Sequence, residues 1–166
     1  MALDDFEQRL IQLLPRLRRL ARALTPQGAD ADDLVQATLE RAWRRRGQWR
    51  RGTSLEAWMF TIMKHAWIDE TRARSRRERG AAPADAAETI ADPLVPGLEL
   101  RFEADAVRRA VARLPEDQRL AIALVLVDGL SYAEAAEVME APIGTLTSRL
   151  GRARQALAAE LAGSTP

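Results

Sequence analysis

Cysteine is absent from the sequence, which excludes a disulfide framework and any thiolate metal site. Histidine occurs once, as His65, so neither a histidine metal cluster nor a His-dependent catalytic triad is expected. Only eight of the 166 residues are aromatic. The apolar content is mostly alanine and leucine, which favours helix over strand. No apolar run approaches the ~20 residues of a membrane span. The opening MALDDFEQRL has no basic stretch followed by an apolar one, so no signal peptide is read. The expectation is a soluble protein of a reducing, cytoplasmic compartment. No nucleophile–base pair, metal constellation or phosphate loop stands out, so no enzyme, no metal and no cofactor is expected.

What the chain does have is 47% hydrophobic and 30% charged residues, a folding composition over a length that suits one domain or two small ones. Its net charge of +1 conceals an asymmetry. Residues 1–79 carry 17 basic and 11 acidic side chains, whereas residues 80–166 carry 8 and 13. Six arginines and no acid lie between Arg41 and Arg51, and five arginines, one lysine and three acids between Lys64 and Arg79. Cationic clusters of this kind suit nucleic acid at particular faces. They equally suit solvated helix surfaces.

Leu3, Phe6, Leu10, Leu13, Leu17, Leu20 and Leu24 step by three and four, one apolar helical stripe. Pro15 is expected to kink that helix or restart it. Thr25-Pro26-Gln27-Gly28 is a stop-and-turn signal. Asp30, Asp32 and Asp33 then suit a helix N-terminus, and that helix runs to about Trp43. Gly47 and Gly52 bracket a short Arg/Trp segment. A third helix spans Ser54 to about Arg74, with Leu55, Trp58, Met59, Ile62, Met63 and Ala66 on one face. The segment 79–97 has three prolines, many alanines and no apolar period, and reads as a flexible linker. It divides the chain into domains at 1–78 and 98–166, whose relative placement is expected to be set by partners.

Helical signals resume near Leu98, with Phe102, Ala106, Ala110 and Leu114 on a shared face. Pro115 ends that helix. Glu116-Asp117 opens the next, which runs through Leu120, Ala123, Leu124 and Val127 until Asp128-Gly129 closes it. Ser131 and Glu134 fit a capping box before a short helix, Tyr132 to Met139. Glu140 to Gly144 forms a tight turn, and a last helix runs from near Thr145 to about Leu161. This layout is a helix-turn-helix, although an ordinary helical hairpin has the same outline. Ile143, Leu146 and Leu150 are expected to point inward, leaving Thr145, Thr147, Ser148, Arg149, Arg152 and Arg154 for solvent or DNA.

Four segments taken in order are more specific than any one of them. DDLVQATLERAW (32–43), SLEAWMFTIMKHAWIDETRARSRR (54–77), LPEDQRLAIALVLVDGLSYAEAAEVM (114–139) and PIGTLTSRLGRARQAL (142–157) resemble regions two and four of bacterial RNA polymerase sigma factors of the extracytoplasmic-function (ECF) class. The resemblance covers nearly the whole chain apart from the linker, and leaves no segment for regions one or three. It implies an all-α fold of two small helical domains. It also implies an alternative sigma factor, monomeric when free, that binds core RNA polymerase through its clamp helices and flap. Promoter DNA and an anti-sigma factor are the other implied partners.

Carried over residue by residue, the resemblance makes Asp32, Asp33, Gln36 and Glu40 the polymerase-docking face, with Val35, Leu39 and Ala42 toward the core. Trp49, Arg50, Arg51 and Thr53 fall in the segment that melts and captures the minus-ten element, although Trp49 is equally suited to the core. Lys64, His65, Asp69, Arg72 and Arg74 fall on the minus-ten reading helix. His65 stands where the family often has Asn, and its alternative is a bond to Asp69 one turn on. Trp58 and Trp67 are read as core. The helix beginning at Pro142 corresponds to the minus-thirty-five reader, whose N-terminal turns enter the major groove. The family commonly has Arg or Lys where Thr147 stands and a larger residue where Gly151 stands. Those departures bear on which minus-thirty-five sequence is read. The competing reading is a sigma-mimic adaptor that binds an anti-sigma protein and no DNA.

Overall fold

The computed structural model describes residues 4–25, 27–80 and 98–163, with side chains described from 104 onward in the last stretch. Their regular structure is entirely helical: α1 (Asp5–Leu24), α2 (Gly28–Arg44), a 3-10 turn (Arg46–Gln48), α3 (Leu55–Gly80), α4 (Leu98–Ala112), α5 (Glu116–Ile122), a π-helical segment (Ala123–Val127), α6 (Tyr132–Met139) and α7 (Ile143–Gly163). The expected linker lies outside the described residues from 81 to 97.

The first lobe is a three-helix unit. Asp4 caps α1: the Glu7 N–H donates to the Asp4 carboxylate at 2.8 Å, and the Asp4 N–H donates to the Glu7 carboxylate at 3.1 Å. The leucine stripe buries Leu13, Leu17, Leu20 and Leu24 together with Phe6, while Leu3 lies outside the described residues. Pro15 does not restart this helix, which is continuous through it. The proline is on the exposed side, as is Ile11, the residue whose carbonyl loses its partner to the ring. Water can satisfy that carbonyl, so the helix survives. The Thr38 hydroxyl, buried in α2, donates to the Leu34 carbonyl at 2.7 Å. Ser54 caps α3 by accepting from the Ala57 N–H at 3.1 Å. That helix continues past Arg74 to Gly80. Its last turns are supported by Arg74 to Asp30 and Arg77 to Glu70, both at 2.9 Å.

The second lobe packs α4 to α7 around Leu124, Val138, Leu146 and Leu150, all fully buried. The π-helical turn was not foreseen. There the Asp128 N–H donates to the Ala123 carbonyl at 3.0 Å, one residue wider than an α-helical bond. Gly129, at φ 78°, then turns the chain toward α6. The two lobes do not stand apart: α3 lies against α6, and α1 against the π-helical segment.

Candidate nucleic-acid interface

On α2 the two faces separate as expected. Asp32, Asp33, Gln36 and Glu40 are exposed, while Val35 and Ala42 are buried and Leu39 packs partly against the core. Glu40 stands 3.8 Å from Arg44, one turn on. The other three make no ion pair among the described residues, leaving an acidic stripe open to a cationic partner.

Arg50, Arg51 and Thr53 sit on the exposed turn after the 3-10 segment. The Thr53 hydroxyl donates to the Arg50 carbonyl at 2.6 Å, and Gly52 takes φ 89°, a conformation that favours glycine. Trp49 is not free to stack on a base. Its ring lies 5.8 Å from Phe6, Arg9 lies 5.6 Å over it, and its indole N–H is buried without a partner. An exposed aromatic does occur nearby: Trp43 is 45% exposed, with the Arg46 guanidinium 4.4 Å above its ring. Sequence reasoning passed over Trp43 because it closes an amphipathic helix where an aromatic usually packs.

The middle of α3 turns toward the second lobe. Lys64 is buried, with its ammonium 3.4 Å from Glu140, and the His65 Nε2 lies 3.2 Å from the same carboxylate oxygen. His65 therefore does not bond Asp69, which pairs with Arg41 at 2.9 Å. Arg72 is exposed and Arg74 is engaged by Asp30. Trp67 is buried, and Trp58 meets Phe6 edge-on at 6.2 Å, as core residues do. Lys64, Trp67 and Arg72 line one wall of a cleft of about 480 Å³ between the lobes; Asp117, Met139 and Arg149 line the other.

The helix-turn-helix is built by its caps. The Glu134 N–H donates to the Ser131 hydroxyl at 3.1 Å, and the Ser131 N–H donates to the Glu134 carboxylate at 2.8 Å. These bonds hold the Glu134 carboxyl below its ordinary value, the Ser131 backbone N–H contributing most. Glu140 ends α6 in the left-handed region at φ 54°, and α7 begins two residues before Thr145, at Ile143. Leu146 and Leu150 are buried, but Ile143 is 53% exposed because it occupies the first, outward turn of α7. Thr147 and Ser148 are exposed and Thr145 half-buried. The Thr147 hydroxyl donates to the Ile143 carbonyl at 2.9 Å. Arg149 turns away from the outer face to meet Asp117 at 3.1 Å. Arg154 reaches the Tyr132 hydroxyl at 3.5 Å. Arg152 is exposed and makes no ion pair among the described residues.

Comparison with known proteins fits this arrangement. Residues 10–64 match the family of the Sigma2 domain of PhyR, and residues 104–157 match Sigma-70, region 4. The ECF RNA polymerase sigma factor EcfG of Rhodopseudomonas palustris is 37% identical over 158 residues, covering 95% of this chain and 86% of that protein. The chain belongs to the ECF RNA polymerase sigma factor family. The ECF RNA polymerase sigma-E factor of Salmonella typhimurium is 32% identical over 165 residues, covering 92% of this sigma factor and 84% of that one. Among solved structures, the sigma factor RpoE of Bartonella quintana, in complex with the anti-sigma factor NepR, superposes with a TM-score of 0.79 at 34% identity. That match covers 98% of this chain and 100% of the other.

Several residues that organise this sigma factor carried no sequence signal. Asp128 was read only as a helix stop, yet its fully buried carboxylate accepts from Arg16 at 2.5 Å and from Arg19 at 3.3 Å. The hydrogen bond that Arg16 donates to Asp128, and a second that it donates to Glu56 at 2.5 Å, raise the Arg16 pKa above its ordinary value against the opposing effect of burial. Arg119 is held between carbonyls of both lobes. Pairings this distant in sequence leave no local pattern.

Proposed function

We propose that this chain binds core RNA polymerase through the α2 stripe of Asp32, Asp33, Gln36 and Glu40. Promoter DNA is then engaged at two places. The minus-ten element meets Arg50, Arg51 and Thr53 and the α3 side chains Lys64, His65 and Arg72; the minus-thirty-five element meets Ser148 and Arg152 of α7. Asp69 and Arg74 orient their neighbours through Arg41 and Asp30, and Trp49 supports the capture turn from beneath. The observation that carries the reading is the division of labour on α2. Its polar residues are exposed in one row, Glu40 alone having a cation of its own helix nearby, while its apolar residues are spent on the core, an arrangement that suits docking to a cationic helix. An anti-sigma factor is the third partner, since RpoE of Bartonella quintana is found in complex with one.

A second reading has one observation in its favour. Residues 10–64 match the Sigma2 domain of PhyR, and the protein of that name in Bartonella quintana is an anti-anti-sigma factor complexed with NepR. Such a chain would capture an anti-sigma protein and bind no DNA. Exposed arginines at 50, 51 and 152 favour the DNA-binding reading. Transcription in vitro with core polymerase on a random promoter library decides between them. Initiation from an enriched pair of elements supports the first reading; no initiation, with retained anti-sigma binding, supports the second.

A further inference from the structure

An unpaired base is held by an aromatic face on which it can stack. Trp49 offers none, because it packs beneath the turn at residues 50–53 against Phe6. A second tryptophan stands close by. Trp43, on the last turn of α2, is 45% exposed. Arg46 donates from Nη1 to the Trp43 carbonyl at 2.8 Å, and its guanidinium lies 4.4 Å from the centroid of the Trp43 ring. One hydrogen bond and one ring contact thus fix Arg46 at the C-terminal end of α2, where the helix dipole favours a cation. Trp43 keeps its exposure with Arg46 in place, so ring surface remains for a second planar group. Trp43 shares the side of α2 that carries Gln36 and Glu40, but the surroundings change sign there. Every charged side chain from Arg44 to Arg51 is an arginine, and all five are exposed. Arg44 has Glu40 at 3.8 Å. Arg45, Arg46, Arg50 and Arg51 make no ion pair among the described residues. Such a cluster repels a cationic polymerase helix and attracts a phosphate backbone. The charge therefore selects DNA over protein as the occupant of the Trp43 surface.

We infer that Trp43, backed by Arg46, is a stacking platform for one unpaired base of the melted minus-ten segment. The base lies on the open part of the indole, while Arg45, Arg50 and Arg51 take the flanking phosphates. Every base has a π-face, so the contact stabilises the melted strand without choosing its sequence. It forms only after the strands part, because the faces of a base within a duplex are covered by its neighbours. Trp43 is thus a positioning residue for melted DNA and has no part in recognising the duplex. This rests on the assignment of residues 50–53 to the minus-ten element.

The test uses holoenzyme assembled from core polymerase and the full chain, with a promoter drawn from the random library. One template is fully duplex. The other is a fork whose minus-ten segment is single-stranded, with 2-aminopurine placed at each unpaired position in turn. Trp43→Leu keeps apolar bulk without a π-face, and Trp43→Phe keeps a smaller π-face. Loss of one stacked base weakens binding by about five- to a hundredfold. Trp43→Leu is expected to lose affinity for the fork by that order, and Trp43→Phe much less. Both variants should bind core polymerase, and duplex promoter in the cold, as the wild type does. In the wild type the 2-aminopurine at one position should be quenched by stacking, and Trp43→Leu should restore emission at that position alone. Fork affinity unchanged in Trp43→Leu overturns the inference. So does weaker fork binding with no change of emission at any position. Loss of affinity for core polymerase in Trp43→Leu overturns it in favour of a protein contact. If Arg50→Ala combined with Arg51→Ala leaves fork affinity unaltered, the minus-ten assignment of this turn has failed, and the inference falls for that separate reason.

Discussion

Arg119, on the second turn of α5, donates from Nη1 to the carbonyl of Leu24, the last residue of α1, at 3.2 Å. The same guanidinium donates to the Ala112 and Leu114 carbonyls at the end of α4 and lies 5.9 Å from the Trp67 ring of α3. One side chain thus answers the unpaired carbonyls of two helix C-termini, where a cation is favoured by the helix dipole. Burial lowers the Arg119 pKa from its ordinary value, without approaching deprotonation at neutral pH. Arg119→Ala is expected to lower stability by about 2–4 kcal/mol in urea unfolding, since hydrogen bonds to a charged group contribute about 1.5–3 kcal/mol each and do not add in full. Arg119→Lys should recover little of the loss, because an ammonium cannot span three carbonyls in a fixed fork. Full recovery by lysine would mean that charge alone matters here.

The capping box of α6 makes a prediction in pH. The folded Glu134 carboxyl titrates below its ordinary value because Ser131 donates to it. A depressed carboxylate adds stability above its unfolded pKa and loses that contribution as pH falls through the folded one. The urea midpoint of the wild type should therefore exceed that of Glu134→Ala at neutral pH. The gap should narrow once the solution is more acidic than the ordinary glutamate range. A gap independent of pH would mean that the charge of Glu134 adds nothing to the cap.

The helices were legible because leucine spacing, caps and proline stops are local signals. Ser131 and Glu134 announced α6 to the residue, and the stripe of α1 was buried nearly as written. Whether Pro15 would interrupt α1 was not legible, because the cost of a mid-helix proline depends on whether the freed carbonyl meets water, which sequence does not state. On α2, the exposure of Asp32, Asp33, Gln36 and Glu40 follows from periodicity. In the sets proposed to meet DNA, exposure followed the pattern for Arg50, Arg51, Ser148 and Arg152. It did not for Lys64, Trp49 and Arg149, whose surroundings come from α6, α1 and α5. The expected independence of the lobes met the same limit: Glu140 and Asp128 each face a cation from more than 70 positions away, through pairings that no window of sequence contains.

Polymerase docking is tested by charge reversal on α2. Asp33 and Glu40 are exposed, so changing both to Lys should alter stability by no more than about 0.5 kcal/mol. Affinity for core polymerase, measured by titration, should nevertheless fall, because like charges would now meet across the contact. Unchanged affinity would remove the docking role from this stripe.

The recognition helix distinguishes its two outer arginines by their surroundings. Arg152 is exposed and stands next to Gly151, which has no side chain to crowd a base edge. Thr147 is bonded back to Ile143 and is too short to compete for that approach. Arg149 is partly held by Asp117, to one side of the outer face. Arg152 is therefore expected to read a base, and Arg149 to touch phosphate at the groove's edge. A bidentate contact to guanine contributes about 1–3 kcal/mol of discrimination. Arg152→Ala should thus lose affinity mainly for promoters with the preferred base at one minus-thirty-five position, and be near-neutral for variants at that position. Arg149→Ala should weaken all single-base variants alike and reduce the slope of log affinity against log salt by about one. Binding of the polymerase complex to every single-base variant of the upstream element, at several salt concentrations, measures both. A loss for Arg152→Ala that is uniform across sequences would reassign it to phosphate, and a loss for neither arginine would take α7 off the DNA.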